Sequence, residues 1–485
     1  MHAKHWCSLR ALVALAVMMA GPSSIQGQQF PDYAITNVNV VDVKSGKIHE
    51  SQTIVLKNGN IASLGSSDSV KIPEKTKSMD GSGKFAIPGL WDMHIHWYHE
   101  NSMQLFPLNG VTGVRVMWGT PQHHQWRKRF NESRKLGPRM LIASTIVDGP
   151  EPFWNGSIVA RDAAGGREAV ATARKAKSDF VKVYSLLSRD AYFEIAKSCR
   201  ENKLDFAGHV PMMVTAAEAS DAGQRSMEHM YEILIACSSA ENELRKLLTT
   251  RRSEGESTRK VFMNQELRKE IMTRALATYD SNKAQQLFKK FVKNRTWQCP
   301  TLTVLRNIAW LEDDRVQKNP NLKYIPESFV RFIAPQKRNF SSGKDRIKRT
   351  RLIYQQNLKI LADMQKANVP IIAGTDCLNP FCLPGFSLHT ELELMVKAGL
   401  KPVEALRTAT IDPARYRRAE KTSGSLEPGK VADIVLLSAN PLKEITNTKK
   451  IDTVFIRGVR LSRKSIDARL AELDRTQKKP EKPAK

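Results

Sequence analysis

Residues 86–96 read AIPGLWDMHIH. Pro88 and Gly89 close one apolar run, and the next run ends with His94 and His96 one residue apart. Alternate residues of a strand face the same side, so both imidazoles can reach one ligand together. An ordinary half-buried strand with two histidines on one face has the same local pattern. The rest of the chain must decide between the two readings.

Working outward, the middle of the chain alternates short apolar runs with helical patterns, which is what a parallel α/β sheet or barrel requires. Eight runs are candidate strands: FAIPGLWD, VTGVRVM, RMLIAST, FVKVYS, LDFAGHV, QRSMEH, WQCPTL and VPIIAGTD. Ser188 is a good N-cap for a helix with the apolar stripe Tyr192, Ile195, Ala196 and Cys199. A second helix carries Leu388, Leu392, Met395 and Val396 on one face and stops at Gly399. Charged inserts of helical pattern, near 240–292 and 304–366, interrupt the alternation and are expected around the catalytic rim.

In a parallel α/β barrel, functional side chains gather at the C-terminal ends of the strands. The first run ends in His94 and His96, the fourth carries Lys182, the fifth ends in His209, the sixth in His229 and the eighth in Asp376. Imidazole and carboxylate donors at an open site suit catalytic Zn²⁺, with other divalent metals also compatible. Lysine ammonium is a poor ligand; at a strand end Lys182 makes sense as a CO₂-derived carbamate, an anion able to bridge two metals. Tyr184 is a substrate-contact candidate, with a structural tyrosine equally compatible. Strand alternation turns Glu228 away from the metals. His99, His123, His124 and His389 are expected at the surface, and Trp97 and Trp118 either line the pocket or pack.

Lys and Arg total 76 against 49 Asp and Glu, a formal charge of +27. This favours anionic surfaces or acidic substrates. The positive residues are scattered, with no recognition helix or zinc finger, so no specific nucleic acid is expected. Lys4 and Arg10 precede the apolar run 11–20, and small residues follow near a cut after Gly27, the pattern of an export signal. That run is shorter than the ~20 residues of a membrane span. The reading is a periplasmic or secreted protein that is not membrane-bound once the signal is removed, with a homo-oligomer left open. Five of the six cysteines lie beyond the signal; an odd number argues against a full disulfide framework. Spacing does not decide whether Cys377 and Cys382 are bonded.

The segments AIPGLWDMHIH, FVKVYS, AGHVP, SMEH, AGTD, ELELMVKAGLKPVEALRTATIDPA and GSLEPGKVADIVLL together resemble the amidohydrolase superfamily, and within it an exported imidazolonepropionase-like and prolidase-like branch. The resemblance runs from about residue 33 to about 463 and fades in the inserts. It implies a distorted (β/α)8 TIM barrel with a composite β-sandwich built from both ends of the chain. The domain reading is 1–27 signal, 28–85 the N-terminal sandwich segment, 86–415 barrel, 416–464 the C-terminal sandwich segment and 465–485 a basic polar tail, its end disordered. The resemblance also implies that His94, His96 and Asp376 hold a buried metal and that His209 and His229 hold a more exposed one. Carboxylated Lys182 would bridge the two, and Asp376 would carry the proton from the attacking hydroxide to the leaving amine. One departure is Val116, which stands where relatives often have an acid after the second strand; altered packing or substrate contact is expected.

The function so implied is hydrolysis of an amide or cyclic amide C–N bond in a small molecule. An Xaa-Pro or basic-residue dipeptidase or carboxypeptidase of the same superfamily is the alternative. A catalytically inactive binding barrel is the alternative of another class.

Overall fold

At Gly89 the chain leaves one sheet and enters another. The structure is a computed structural model, and it describes residues 32–132, 135–340 and 343–477. The expected signal, 1–27, and the end of the tail, 478–485, lie outside these residues. The run FAIPGLWD is two strands. Phe85–Pro88 pairs with Ile434–Leu437, and Leu90–Ile95 pairs in parallel with Val111–Val116. A Cβ on Gly89 would lie 2.2 Å from Thr112 Oγ1, so only glycine fits at this crossing. The expected boundary between sandwich and barrel, at 85/86, therefore moves: Phe85–Pro88 belongs to the sheet of the chain ends.

That sheet has eight strands from both ends of the chain. Tyr33–Val41, Ile48–Lys57, Asn60–Ser66, Lys77–Asp80 and Phe85–Pro88 join Ile434–Leu437, Ile451–Ile456 and Val459–Ser462. Its strands share an apolar cluster that includes Ile35, Val38, Ile54, Leu56, Ile434, Leu436 and Phe455. Period-two alternation of β-branched residues puts these side chains on one face, which is why such distant segments pair.

The middle of the chain is an α/β fold of parallel strands. Leu90–Ile95, Val111–Val116 and Arg139–Ile142 form one sheet. Phe180–Val183, Asp205–Gly208, Ser226–Glu228 and Trp297–Cys299 follow one another in a second, which Val147–Asp148 and Ile158–Val159 extend. Helices such as Pro121–Asn131, Ala163–Lys175 and Arg189–Glu201 connect the strands. Ser188 caps Arg189–Glu201 by accepting from the Ala191 amide, and the helix buries Tyr192, Ile195, Ala196 and Cys199. Helix Phe386–Lys397 buries Leu388, Leu392 and Met395.

Three further expectations need correction. VPIIAGTD is not a regular strand: its backbone touches its neighbours through the single bridges Gln298–Ile371 and Ile95–Cys377. The reason is divided bonding: the Ile372 amide donates to Gln298 O, Ala373 to Thr408 O and Asp376 to His94 O. The tail from 465 opens within helix Arg463–Gln477, held by buried Ile466 and Leu473. His123 and His389 are buried instead of exposed. His123 is bonded to Trp97 O at 2.8 Å, and His389 to Asn109 O and Thr448 Oγ1, each at 3.0 Å. These partners satisfy the imidazoles away from water. His99 and His124 are half-buried.

Both inserts are helical as expected, the first holding Glu241–Ser253, Gln265–Ala277 and Ser281–Asn294, the second ending in Lys344–Lys366. Cys377 and Cys382 are separate buried thiols. Val116 is a buried core residue. No helix among the described residues is long and apolar enough to cross a membrane.

Candidate metal centre

His94 and His96 project from the end of Leu90–Ile95 toward Asp376, which the eighth segment delivers. His94 Nε2 and His96 Nε2 are 3.2 Å apart, and they lie 3.2 and 3.3 Å from Asp376 Oδ1. His229 Nδ1 is 3.9 Å from the other oxygen, Oδ2. One donor atom each from His94, His229 and Asp376 fall within 4.8 Å of one another. The His209 ring lies 4.9 Å from that of His229 at 90°. Thus residues separated by as many as 282 positions in the chain meet at one place, Asp376 with His94 among them.

Local backbone explains how they meet. Gly374 passes so close to the first strand that a Cβ there would lie 2.8 Å from His94 Cβ and 2.9 Å from His94 N. Asp376 (φ 58°) and His229 (φ 64°) both adopt left-handed backbone, rare for side chains with a Cβ. Such conformations persist where the surroundings over-determine them and are common at functional sites. Gly208 (φ +141°) precedes His209, and a Cβ there would lie 2.1 Å from Val183 O and 3.0 Å from Lys182 Cδ. The Val183 carbonyl therefore leaves no room for a side chain at 208, and the Lys182 stem packs against the bare glycine.

Lys182 is fully buried and its Nζ has no hydrogen-bond partner; Asp376 Oδ1 has none either. Burial pulls the lysine down to about 8. Burial also pulls His96 down to about 4 and His229 to about 3, and lowers His209 well below the usual imidazole range, so all three are neutral at pH 7 with a lone pair free. The Asp376 carboxyl is held well below the usual range despite its burial, set among the ring nitrogens of His229, His94 and His96. Neutral imidazoles and an ionised carboxylate with an orphaned buried oxygen are the donor chemistry that a divalent cation satisfies.

The surrounding contacts fix these groups. His209 Nδ1 pairs with Ser185 Oγ at 2.7 Å, and His229 Nδ1 with Thr301 Oγ1 at 2.8 Å. Tyr184 stacks on His209 with centroids 4.0 Å apart, and its hydroxyl accepts from Trp154 Nε1 at 2.9 Å. Phe153 links this aromatic face to Phe262 of the first insert, 6.0 Å away, which brings that insert to the rim. Trp97 packs against Phe329 of the second insert, and Trp118 is half-buried.

Two residues that the sequence did not place at the centre stand directly behind it, one set aside and one unremarked. Glu228, expected to point away, is buried and bonded to His94 Nδ1 at 2.7 Å. Alternation does hold within Ser226–Glu228, since Ser226 Oγ donates to Glu228 Oε1 at 2.5 Å from the same face. It fails at the next residue, where the left-handed turn at His229 brings consecutive side chains to the same centre. The second is Arg115, whose Nη2 donates to both Glu228 oxygens at 2.9 Å. A strongly polar residue alternating inward within VTGVRV was the signal that could have revealed it. Glu228, His94 and Cys299 also group within 4.8 Å. A cation there would meet the Arg115 guanidinium on the same carboxylate, and burial raises the Cys299 thiol well above its usual range.

A model of the amidohydrolase family matches residues 85–461. Adenine deaminase of Desulforamulus reducens is 36% identical over 94 residues, 19% of this chain and 15% of that enzyme. Imidazolonepropionase of Geobacillus kaustophilus is 41% identical over 73 residues, 15% of this chain and 17% of that enzyme. The matched stretches thus span under a fifth of these relatives. Among solved structures, a bottromycin amidohydrolase superposes with a TM-score of 0.73 at 19% identity, covering 92% of this chain and 91% of that one. An Xaa-Pro dipeptidase with bound methionine gives 0.63 at 17% identity, covering 89% and 100%. At such identities the likeness concerns the fold.

Proposed function

The chain belongs to the amidohydrolase family, and from that premise we propose that it hydrolyses the C–N bond of a small amide or cyclic amide at a divalent-metal centre. One observation carries this reading. Asp376 Oδ1, orphaned and buried, lies within 3.3 Å of two imidazole nitrogens. At this spacing a ring proton or a cation must lie among them, and with the Glu228 carboxylate bonded to His94 Nδ1 the His94 Nε2 is left to face a cation.

His94, His96 and Asp376 would hold one ion, and His209 and His229 a second, with Lys182 joining them as a carbamate. Zn²⁺ is the metal this donor set favours. A bound divalent cation supplies Lewis acidity, lowering the pKa of water and polarising a carbonyl. Asp376 accepts the proton of the attacking water at its carboxylate and returns it to the departing nitrogen. Ser185 and Thr301 each accept from a ring N–H, which fixes the tautomers of His209 and His229. Tyr184, its oxygen already accepting from Trp154, keeps its O–H to donate to the substrate carbonyl.

The parallel bridges Ile95–Cys377, Ala143–Phe180 and Gln298–Ile371 support a ring closed as a distorted (β/α)8 barrel. The shared core of the two chain ends supports a composite β-sandwich beside it. Residues 1–27 act as an export signal in this reading, which makes the mature enzyme periplasmic or secreted, on the imidazolonepropionase-like and prolidase-like branch. Elemental analysis combined with a panel of amides, cyclic amides and dipeptides tests the function. About two zinc equivalents, with turnover lost on chelation, is the expected outcome; protein that retains no metal and turns over nothing would overturn it.

A further inference from the structure

The geometry points to Arg115 and Glu228 as a positioning pair that fixes the His94 ring for metal binding, an inference that rests on the metal-centre reading above. Glu228 Oε2 is 2.7 Å from His94 Nδ1, and an ionised carboxylate can only accept there. The ring proton is therefore held on Nδ1, and the Nε2 lone pair faces His96 and Asp376. A carboxylate behind a ligating histidine both orients the ring and raises its basicity.

Arg115 makes that carboxylate sustainable. Both residues are fully buried, and a carboxylate is sustained there only when it is paired and hydrogen-bonded, as the two Nη2 contacts provide. The guanidinium spans the centre: Nη2 donates to Glu228, Nη1 to Ser226 Oγ at 2.7 Å and Tyr416 Oη at 2.8 Å, and Nε to Met93 O at 2.5 Å. Met93 and Ser226 lie on the strands that carry His94 and His229. One side chain thus ties the two ligand-bearing strands together and fixes the carboxylate. A buried ion pair serving the core alone would account for Arg115 and Glu228, but not for the placement of an imidazole nitrogen as the carboxylate's third partner.

The test compares wild type, Glu228→Gln, Arg115→Met and the double variant Arg115→Met/Glu228→Gln. Zinc affinity of the chelator-stripped proteins is measured by competition with a chromophoric chelator, alongside the melting temperature of each metal-free form. Glu228→Gln alone strands the buried Arg115 guanidinium, which cannot shed its proton, and is expected to be the least stable. The double variant, with no charge left to strand, recovers melting temperature but keeps zinc affinity about 10–100-fold below wild type. In ¹⁵N-histidine-labelled, zinc-loaded wild type, His94 should show a protonated Nδ1 whose signal shifts in Glu228→Gln. Wild-type zinc affinity in the folded double variant would overturn the positioning role while leaving the metal centre intact. A wild-type protein that takes no zinc would overturn the metal centre and this inference with it.

Discussion

Asp376 approaches His94 twice over: its backbone N–H donates to His94 O at 2.8 Å, and its carboxylate Oδ1 lies 3.2 Å from His94 Nε2. The first contact fixes the second, because the aspartate cannot move away from the imidazole without breaking a main-chain bond. Asp92 adds a brace, accepting from the Thr375 amide at 3.0 Å and its hydroxyl at 2.7 Å. The position of the carboxylate is therefore built into the meeting of the first and eighth segments, and its chemistry can be tested separately from its placement.

Asp376→Asn keeps the shape and removes the base. Steady-state kinetics should show kcat lower by about 10²–10⁴-fold, with KM changed less. A near-normal kcat would remove the proton-transfer role.

Metal removal should be visible without any substrate. If the centre binds zinc only when folded, free zinc at a hundred times its dissociation constant stabilises by about 2.7 kcal/mol. Thermal melts with and without chelator should separate accordingly. Identical melts would argue that the converging imidazoles hold no ion.

Lys182 should incorporate CO₂. Protein prepared in ¹³C-bicarbonate is expected to give a carbamate resonance that Lys182→Arg lacks, with the variant retaining fewer zinc equivalents. A wild type with no such resonance but full metal content would leave Lys182 an unmodified amine.

Gly374→Ala tests the close approach of the eighth segment. Its Cβ would fall 2.6 Å from Cys299 Sγ as well as 2.9 Å from His94 N. Backbone must shift, and a loss of about 1–3 kcal/mol is expected in denaturant titration. Zinc affinity should fall with it, because the displaced atoms carry His94.

His389 offers a pH test remote from the metal. Burial pulls it from 6.5 down to about 4 in the folded chain. Below pH 6.5 the unfolded chain takes up a proton that the folded chain refuses, so this stability is complete above 6.5 and is lost as pH falls toward 4. Between pH 7 and 5 wild type should lose about 2 kcal/mol more than His389→Gln. Equal losses would place the imidazole in contact with water.

The local pattern of residues by itself determined the parallel α/β class and the order in which the candidate ligands appear. It also determined the capped helix at Ser188, because periodicity and turn chemistry act between near neighbours. His94, His96, Lys182, His209, His229 and Asp376 could be named because each ends or lies on a short apolar run, and a parallel sheet brings such ends to one side. What only the tertiary structure decided depends on neighbours remote in sequence. Arg115 and Glu228 are 113 residues apart, and their pairing behind His94 exists only once two strands share an interior. The burial of His389 against Asn109 O, 280 residues away, is of the same kind. The transfer of Phe85–Pro88 to the outer sheet, the irregular course of 371–377 and the left-handed turns at His229 and Asp376 were equally hidden. Each is set by competition for hydrogen-bond partners and space among segments that meet only in the folded chain.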